Sequence, residues 1–596
     1  SRRASLLIVW VRIGYLIRPY GPSLSEVISH KLSEVTFNIG CCFDGNMANM
    51  SPKRLVGIVL QPIEETSGTL ERRLGLFSVI IISLSAMIGS GLFVLPSLAY
   101  AEVGGGAWLA YVIAALVVIP GAISKSELAS AMPTSGGSYV YIERVFGPLF
   151  GTMMGLALWA SFLLKAAFAL IGFSAYLMFV QAEYGEYVTS LEAALGMLVI
   201  ISMVNILGIK RVKIVQTPIV VLALILLLGL TIMAVINGDA DWSRIEPTLE
   251  TSSDWIGMGE TAALVLVSYA GVTKVAAIGG EIKDPGRNLP GGILASLTIG
   301  AILYALIVAT MIAVIPDASF FDSSGHVIED PVRVFAYEVA GHNVSIIAAI
   351  IAILTMTSMS LAGILAASRY LFAMSLDNLL PEALEEVHSR YETPHLAIIL
   401  TAIMMAFALI TIDVHAVAEY ASGFQIMAYV LMCISVMIMR KATSSHAWYQ
   451  PSYSSPFHPF LQLFGILSGF SLLYFMGAEA FYGAATAFIV GGVLYFGYGK
   501  NNINRKITPW NTFRLMFVDP EEAENRRRLT AFYAADIDGN GELNRNQYLS
   551  AMDALGYSKD KESELLVYFD EADVDSNGII DIDEFLASIA RHESSD

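Results

Sequence analysis

Ala86-Met87-Ile88-Gly89-Ser90-Gly91-Leu92-Phe93-Val94-Leu95-Pro96 lies within an apolar run that extends over 75–100. About 20 apolar residues cross a bilayer core as a helix, but this run carries two glycines and a proline inside it. Each glycine lowers helix propensity by roughly 1 kcal/mol, and the proline removes a backbone donor. The pattern predicts a membrane helix broken near its middle. Val267-Ser268-Tyr269-Ala270-Gly271-Val272-Thr273-Lys274 is a second small, glycine-bearing patch, inside the run 257–281.

The rest of the chain sets these breaks in a membrane protein. Of its 596 residues 55% are hydrophobic and 15% charged, and mean hydropathy is +0.62; soluble domains average roughly 25% charged. Twelve apolar segments follow one another: 75–100, 107–130, 148–180, 190–208, 215–237, 257–281, 290–315, 344–374, 395–413, 416–440, 458–476 and 479–498. The breaks fall in the first and the sixth. They are five spans apart, and an odd offset inverts the second unit in the membrane relative to the first.

Basic residues in short loops mark the cytosolic side. With a cytosolic N-terminus, the inward loops carry Arg144; Lys210, Arg211 and Lys213; Lys283 and Arg287; Arg369 and Arg390; Arg440 and Lys441. The outward connections 181–192, 238–254 and 411–415 are acidic or bare. Both termini are therefore expected in the cytosol, with the plasma membrane as host.

Unwound backbone at mid-bilayer cannot face lipid, where each unpaired N–H or C=O costs several kcal/mol. It has to line a cavity and satisfy its groups there. Paired interruptions in two halves of a transporter mark such a site. A half-helix N-terminus after Gly91 would suit a carboxylate, and carbonyls freed near Ser268–Gly271 would suit an ammonium. The competing reading is that these glycines only let helices pack closely, as small-xxx-small stripes do.

Several ordered motifs add a resemblance. Ile88-Gly89-Ser90-Gly91-Leu92-Phe93 is similar to the first-span signature of the amino acid–polyamine–organocation superfamily. So is Ser126-Glu127-Leu128-Ala129-Ser130-Ala131-Met132-Pro133-Thr134-Ser135-Gly136-Gly137-Ser138-Tyr139, continuing to Phe146-Gly147-Pro148. Gly280-Glu281-Ile282-Lys283-Asp284-Pro285 resembles the loop after span 6. Ala366-Ala367-Ser368-Arg369-Tyr370, with Pro381, His388 and Thr393-Pro394-His395, resembles the span 8–9 connection. Together they cover roughly 70–500.

The resemblance implies an all-α membrane protein with twelve transmembrane helices, a five-plus-five inverted repeat, two extra helices and alternating access. It implies an amino-acid substrate bound by Ile88, Gly89, Ser90 and Gly91 at its carboxylate and by Ser268, Tyr269, Ala270 and Gly271 at its amine, with Tyr269 as an aromatic lid. Two departures bear on coupling. Ala223 stands where some proton-coupled relatives carry a span-5 lysine, and Thr273 then Lys274 follow the second break where relatives often have a glutamate. Lys165 and Lys274 are instead intramembrane lysines, costly unless they face a cavity. With Thr273 they are the coupling candidates, and the expected coupling ion is the proton. The alternative for the lysines is snorkelling or a structural bond to backbone carbonyls, an even choice for Lys165.

The last part of the chain differs in chemistry. From Asp519 to Asp596 there are twenty acidic and seven basic residues, net −13 of the chain's −18. Two twelve-residue loops match the EF-hand calcium pattern of oxygen ligands at positions 1, 3, 5, 7, 9 and 12 with glycine at 6. The first offers Asp536, Asp538, Asn540, Glu542, Asn544 and Gln547; the second offers Asp573, Asp575, Asn577, the Ile579 carbonyl, Asp581 and Glu584. Gln547 replaces the last carboxylate of the first loop, so the second is expected to bind calcium and the first weakly or not at all. Leu543 and Ile580 at position 8 suit a short strand pairing the two hands.

These features divide the chain into an N-terminal segment 1–70, a permease domain 71–500, a linker 501–528 and a C-terminal α-helical EF-hand domain 529–596. The first segment reads as a basic transit or anchor segment, or as upstream sequence with the natural start at Met47 or Met50. Cys41, Cys42 and Cys433 form no disulfide or zinc pattern. No nucleotide loop, catalytic triad or deep metal cluster points to an enzyme, and nothing points to nucleic acid. The expected function is proton-coupled amino-acid transport across a lipid bilayer, with regulation by cytosolic calcium through docking of the EF-hand pair on the transporter. A polyamine or organic cation permease and a non-transporting amino-acid sensor are the alternatives.

Overall fold

The computed structural model describes residues 74–595 except 133–136, 185–187, 208–209, 248, 278–281, 389–390, 392, 443–448, 503–507, 537–541, 556, 558–561 and 574–577. The chain divides into two compact units, Ser1–Val56 and Gly57–Asp596, and all described residues belong to the second. The N-terminal segment discussed above lies outside them.

The first apolar run is three pieces: α1 (Leu76–Met87), α2 (Ser90–Phe93) and α3 (Leu95–Val103). There follow α4 (Ala107–Ala131), α5 (Ser138–Phe146), α6 (Pro148–Tyr184), α7 (Ser190–Ile206), α8 (Lys210–Asn237) and α9 (Ser252–Val265). The last of these runs on as a 3-10 helix over Leu266–Ala277. Then come α10 (Pro285–Val314), α11 (Pro331–Ala340), α12 (His342–Leu376), α13 (His395–Thr411), α14 (Val414–Ala442), α15 (Phe460–Phe475) and α16 (Gly477–Leu494). Seven helical segments among the described residues are long and apolar enough to cross a membrane, and five shorter apolar helices accompany them.

Local chemistry accounts for the helix ends. Thr189 with Glu192, and Thr251 with Asp254, form capping boxes at the starts of α7 and α9, supplying partners to amides that have none within the helix. Pro285 and Pro331 begin α10 and α11, where a missing N–H costs nothing. Pro96 falls in the same place, in the first turn of α3. It therefore marks the restart of the broken helix and removes no bond from it.

Surface chemistry identifies the solvent. Only a third of the apolar Gln216–Asn237 window is buried, and Ile225, Ile232, Ile236, Ile403, Phe407, Ile410, Leu467, Phe470 and Ile489 stand exposed. Apolar surface on this scale is not left to water. The chain is an integral, multi-pass membrane protein.

At one end of the bundle Glu127 of α4 is fully buried and accepts five hydrogen bonds. Arg440 at the end of α14 gives Nε and Nη2 at 2.8 and 2.7 Å, Tyr449 its hydroxyl at 2.8 Å, and Ser455 its amide and hydroxyl at 2.7 and 2.5 Å. One carboxylate thus ties α4, α14 and the α14–α15 loop together. Beside it Lys125, 1% exposed, donates to Ser138 Oγ at 2.5 Å. Sequence reading passed over this buried lysine because it abuts the charged end of its span.

The tail has a core of its own, with Phe532, Leu543, Tyr548, Met552, Leu565, Phe569, Ile580, Phe585 and Ile589 buried together. It is built from α18 (Pro520–Ala535), β1 (Leu543–Asn544), α19 (Arg545–Leu555), α20 (Glu562–Ala572), β2 (Ile579–Ile580) and α21 (Ile582–Ser595). β1 and β2 pair antiparallel with Leu543 opposite Ile580. Between tail and bundle, α17 (Pro509–Val518) lays Trp510 5.9 Å from the ring of Phe146 at the end of α5.

Candidate functional site

The first break is a chain reversal of geometry within two residues. Ile88 closes α1 by donating to Leu84 O at 2.8 Å, with extended φ and ψ of −71° and 110°. Gly89 follows at φ 175° and ψ −132°, and its carbonyl accepts from Leu92 and Phe93 at 3.0 Å as α2 begins. The second segment departs from the expectation of unwound backbone: Leu266–Ala277 stays helical but tightens from α to 3-10. A 3-10 run of this length is unusual and accompanies hinges or strain.

The two segments meet. A Cβ on Gly91 would lie 2.6 Å from Ser268 Oγ, and one on Gly271 would lie 2.3 Å from Ala86 C and 2.5 Å from Met87 N. Glycine is required at both places by close approach. Ile88, Gly89, Ser90, Gly91, Ser268, Tyr269, Ala270 and Gly271 are all buried, so the structure brings the eight candidate residues into one closed region. Of Thr273 and Lys274 only the backbone belongs to the described residues.

The groups released at the breaks are met by partners that the sequence reading did not name. Tyr304 donates to Met87 O at 2.8 Å, Tyr111 to Gly91 O at 2.8 Å and Tyr176 to Phe93 O at 2.6 Å. Tyr269 donates to Tyr111 O at 2.9 Å and packs edge-on against Tyr304, ring centroids 5.1 Å apart. Lys165 Nζ donates to Val267 O at 2.7 Å and reaches Ser268 O at 3.5 Å. The Ser90 amide points at the thioether of Met359, 3.2 Å away, a weak acceptor. Of the carbonyls expected to face an amine over Ser268–Gly271, that of Ser268 is already approached by a lysine of α6, which also takes the preceding carbonyl of Val267. A buried hydroxyl or amine needs an acceptor, and tyrosines inside apolar runs were the available signal.

Tyr176 also links the first break to a loop. While its hydroxyl donates to Phe93 O it accepts from the Val332 amide at 3.3 Å, in the first turn of α11. Immediately before that helix, burial and then the charge of Asp330 push Glu329 up to about 7. Burial raises Asp330 too, against the pull of its partner Arg333. A carboxyl raised in the folded state binds more protons there than in the unfolded chain, so stability falls as pH rises from about 4.5 through 7. We expect the melting temperature to drop between pH 5 and pH 8 and the Glu329→Gln protein to lose part of that drop. An unchanged slope in the variant would assign the effect elsewhere.

These features define an integral helical membrane protein in which two irregular segments pack against each other. Comparison with known proteins makes the class specific. The amino acid permease family model matches residues 74–498, and the chain belongs to that family, within the amino acid–polyamine–organocation superfamily. It is similar to the branched-chain amino acid permease BcaP of Bacillus subtilis, 28% identical over 463 residues that make up 74% of this chain and 96% of that one. An uncharacterized transporter of Mycobacterium tuberculosis is 31% identical over 60% of this chain and 78% of its own. The serine/threonine exchanger SteT of Bacillus subtilis is 24% identical over 68% and 91%.

Proposed function

We propose that the chain is a twelve-span secondary transporter of amino acids that works by alternating access, with the five-plus-five inverted repeat and the end bearing Arg144 and Arg440 in the cytosol. The observation that carries this is the abutment of the two irregular segments, Gly91 on Ser268 and Gly271 on Ala86. Irregular backbone at mid-span concentrates polar groups where no water competes. A carboxylate would displace the Met359 thioether from the Ser90 amide, exchanging a weak acceptor for a charge-assisted bond roughly twice as strong as a neutral one. The branched-chain and serine/threonine relatives support small neutral amino acids as cargo. Coupling to protons, with Lys165 and Lys274 as candidate groups, remains part of the proposal. The plasma membrane is the proposed host.

The test is uptake by the purified chain in liposomes, scanned over amino acids and polyamines with a proton gradient, with sodium and with neither. Accumulation of neutral amino acids driven by an inward proton gradient in sodium-free buffer is expected. Strict sodium dependence would remove proton coupling; failure to move any amino acid would remove transport and leave a sensor.

For the tail we propose one calcium site. The reading is supported by the turn of the second loop, where Gly578 adopts φ 83° and its amide donates to Asp573 Oδ2 at 2.8 Å, and by the Glu584 amide donating to Asp581 Oδ1 at 2.9 Å. Asp573, Asp575, Asn577, the Ile579 carbonyl, Asp581 and Glu584 would hold calcium, a hard cation that takes 6–8 oxygens; Asp575 and Asn577 lie outside the described residues, as do Asp538 and Asn540 of the first loop. Calcium would open an apolar groove, with α17 between it and α5 as the proposed route to the transporter. Calorimetry on the whole protein is expected to give one site, weakened at least tenfold by Glu584→Gln, which removes a charge and a bidentate ligand. Two equal sites, or an unaffected variant, would overturn this.

A further inference from the structure

We infer that Lys165 selects the charge of the substrate. While it is protonated its ammonium fills the cation position of the site, so neutral and acidic amino acids are accepted and organic cations refused. The inference rests on the reading of the paired breaks as an amino-acid pocket and adds the class of side chain that the pocket takes.

Lys165 projects from mid-helix in α6, 2% exposed. It bonds Val267 O at 2.7 Å and reaches Ser268 O at 3.5 Å. Both carbonyls lie in the first turn of the 3-10 segment that continues α9, and each is a strong acceptor in a region closed to water. An incoming cation would seek this position, and the lysine holds it. Tyr304 also donates to Ser268 O, at 3.3 Å, so the carbonyls are shared among protein donors already.

Burial removes the water that would screen the ammonium. At an effective interior dielectric of about 20, a second cation about 4 Å away is disfavoured several-hundredfold. A zwitterion offsets its own ammonium with a carboxylate. A diamine has no such offset, and an amino acid with a cationic side chain has one charge too many. Selection by charge needs no contact with the side chain's shape.

The experiment uses the full chain in liposomes with radiolabelled leucine, glutamate, arginine and putrescine, and reads ligand-induced shifts of melting temperature alongside uptake. The wild-type protein is expected to favour leucine over arginine about a hundredfold and to ignore putrescine. Lys165→Met should cut that preference to under tenfold, and Lys165→Arg should keep it. If the methionine variant does not fold, Lys165→Gln serves as the uncharged form, since it retains a donor. A folded, uncharged variant with the wild-type preference overturns the inference, as does wild-type handling of arginine or putrescine on a par with leucine. Absence of uptake for every compound removes the transport reading instead, and the ranking of melting shifts still decides on Lys165.

Discussion

Gly271→Ala is expected to reduce amino-acid uptake about a hundredfold while the protein remains folded and membrane-inserted. The added Cβ would meet Ala86 C at 2.3 Å, Ala86 O at 2.4 Å and Met87 N at 2.5 Å. These are backbone atoms, so no side chain can swing aside; the 3-10 segment has to move off the end of α1 by about an ångström. Overpacking of this kind costs typically 1–3 kcal/mol, which a large membrane core survives. The same displacement shifts Ser268 away from Gly91, and misplacements of about 1 Å cost a binding or reacting site roughly two orders of magnitude. Gly229→Ala is the control, because nothing lies within 4 Å of its Cβ, and its uptake is expected to match wild type. Were Gly271→Ala to transport normally, the close contact would be packing without a functional role.

Glu127→Ala is expected to cost about 3–5 kcal/mol of stability, because it removes the acceptor for Arg440, Tyr449 and Ser455 together. The carboxylate is fully buried while the Arg440 side chain is 25% exposed, so the loss falls on buried donors left without an acceptor. Glu127→Gln should be nearly as damaging, since its amide would turn a donor toward donors. A double variant, Glu127→Leu with Arg440→Met, should recover only the part of the loss that comes from the uncompensated arginine, because Tyr449 and Ser455 still lack their acceptor. Unfolding titrations with a denaturing detergent would measure this. A loss below about 1 kcal/mol would mean that the pair behaves as a surface salt bridge.

The positions of the irregular segments were legible because their causes are local. Gly89, Gly91 and Pro96 act within their own turn of chain, and the first helix does end at Met87 and restart at Ser90. Apolar runs likewise set the helices, since a span's length and composition are properties of consecutive residues. The form of the second irregular segment was not legible. Ser268–Gly271 reads equally as unwound strand or tightened helix, and the groups that Lys165, Tyr304 and Ser422 bring to this segment come from other helices; Ser422 Oγ accepts from the Val267 amide at 3.1 Å.

The sequence by itself determined the membrane class, the places where the helices turn irregular and the change from an apolar body to an acidic tail, because all three follow from composition and glycine or proline placement along the chain. Tertiary structure alone decided what meets the released backbone groups. Ser90 and Met359 are 269 residues apart, and Lys165 and Val267 are 102 apart. Contacts over such separations depend on how helices pack, and a buried donor takes whichever acceptor that packing brings within reach.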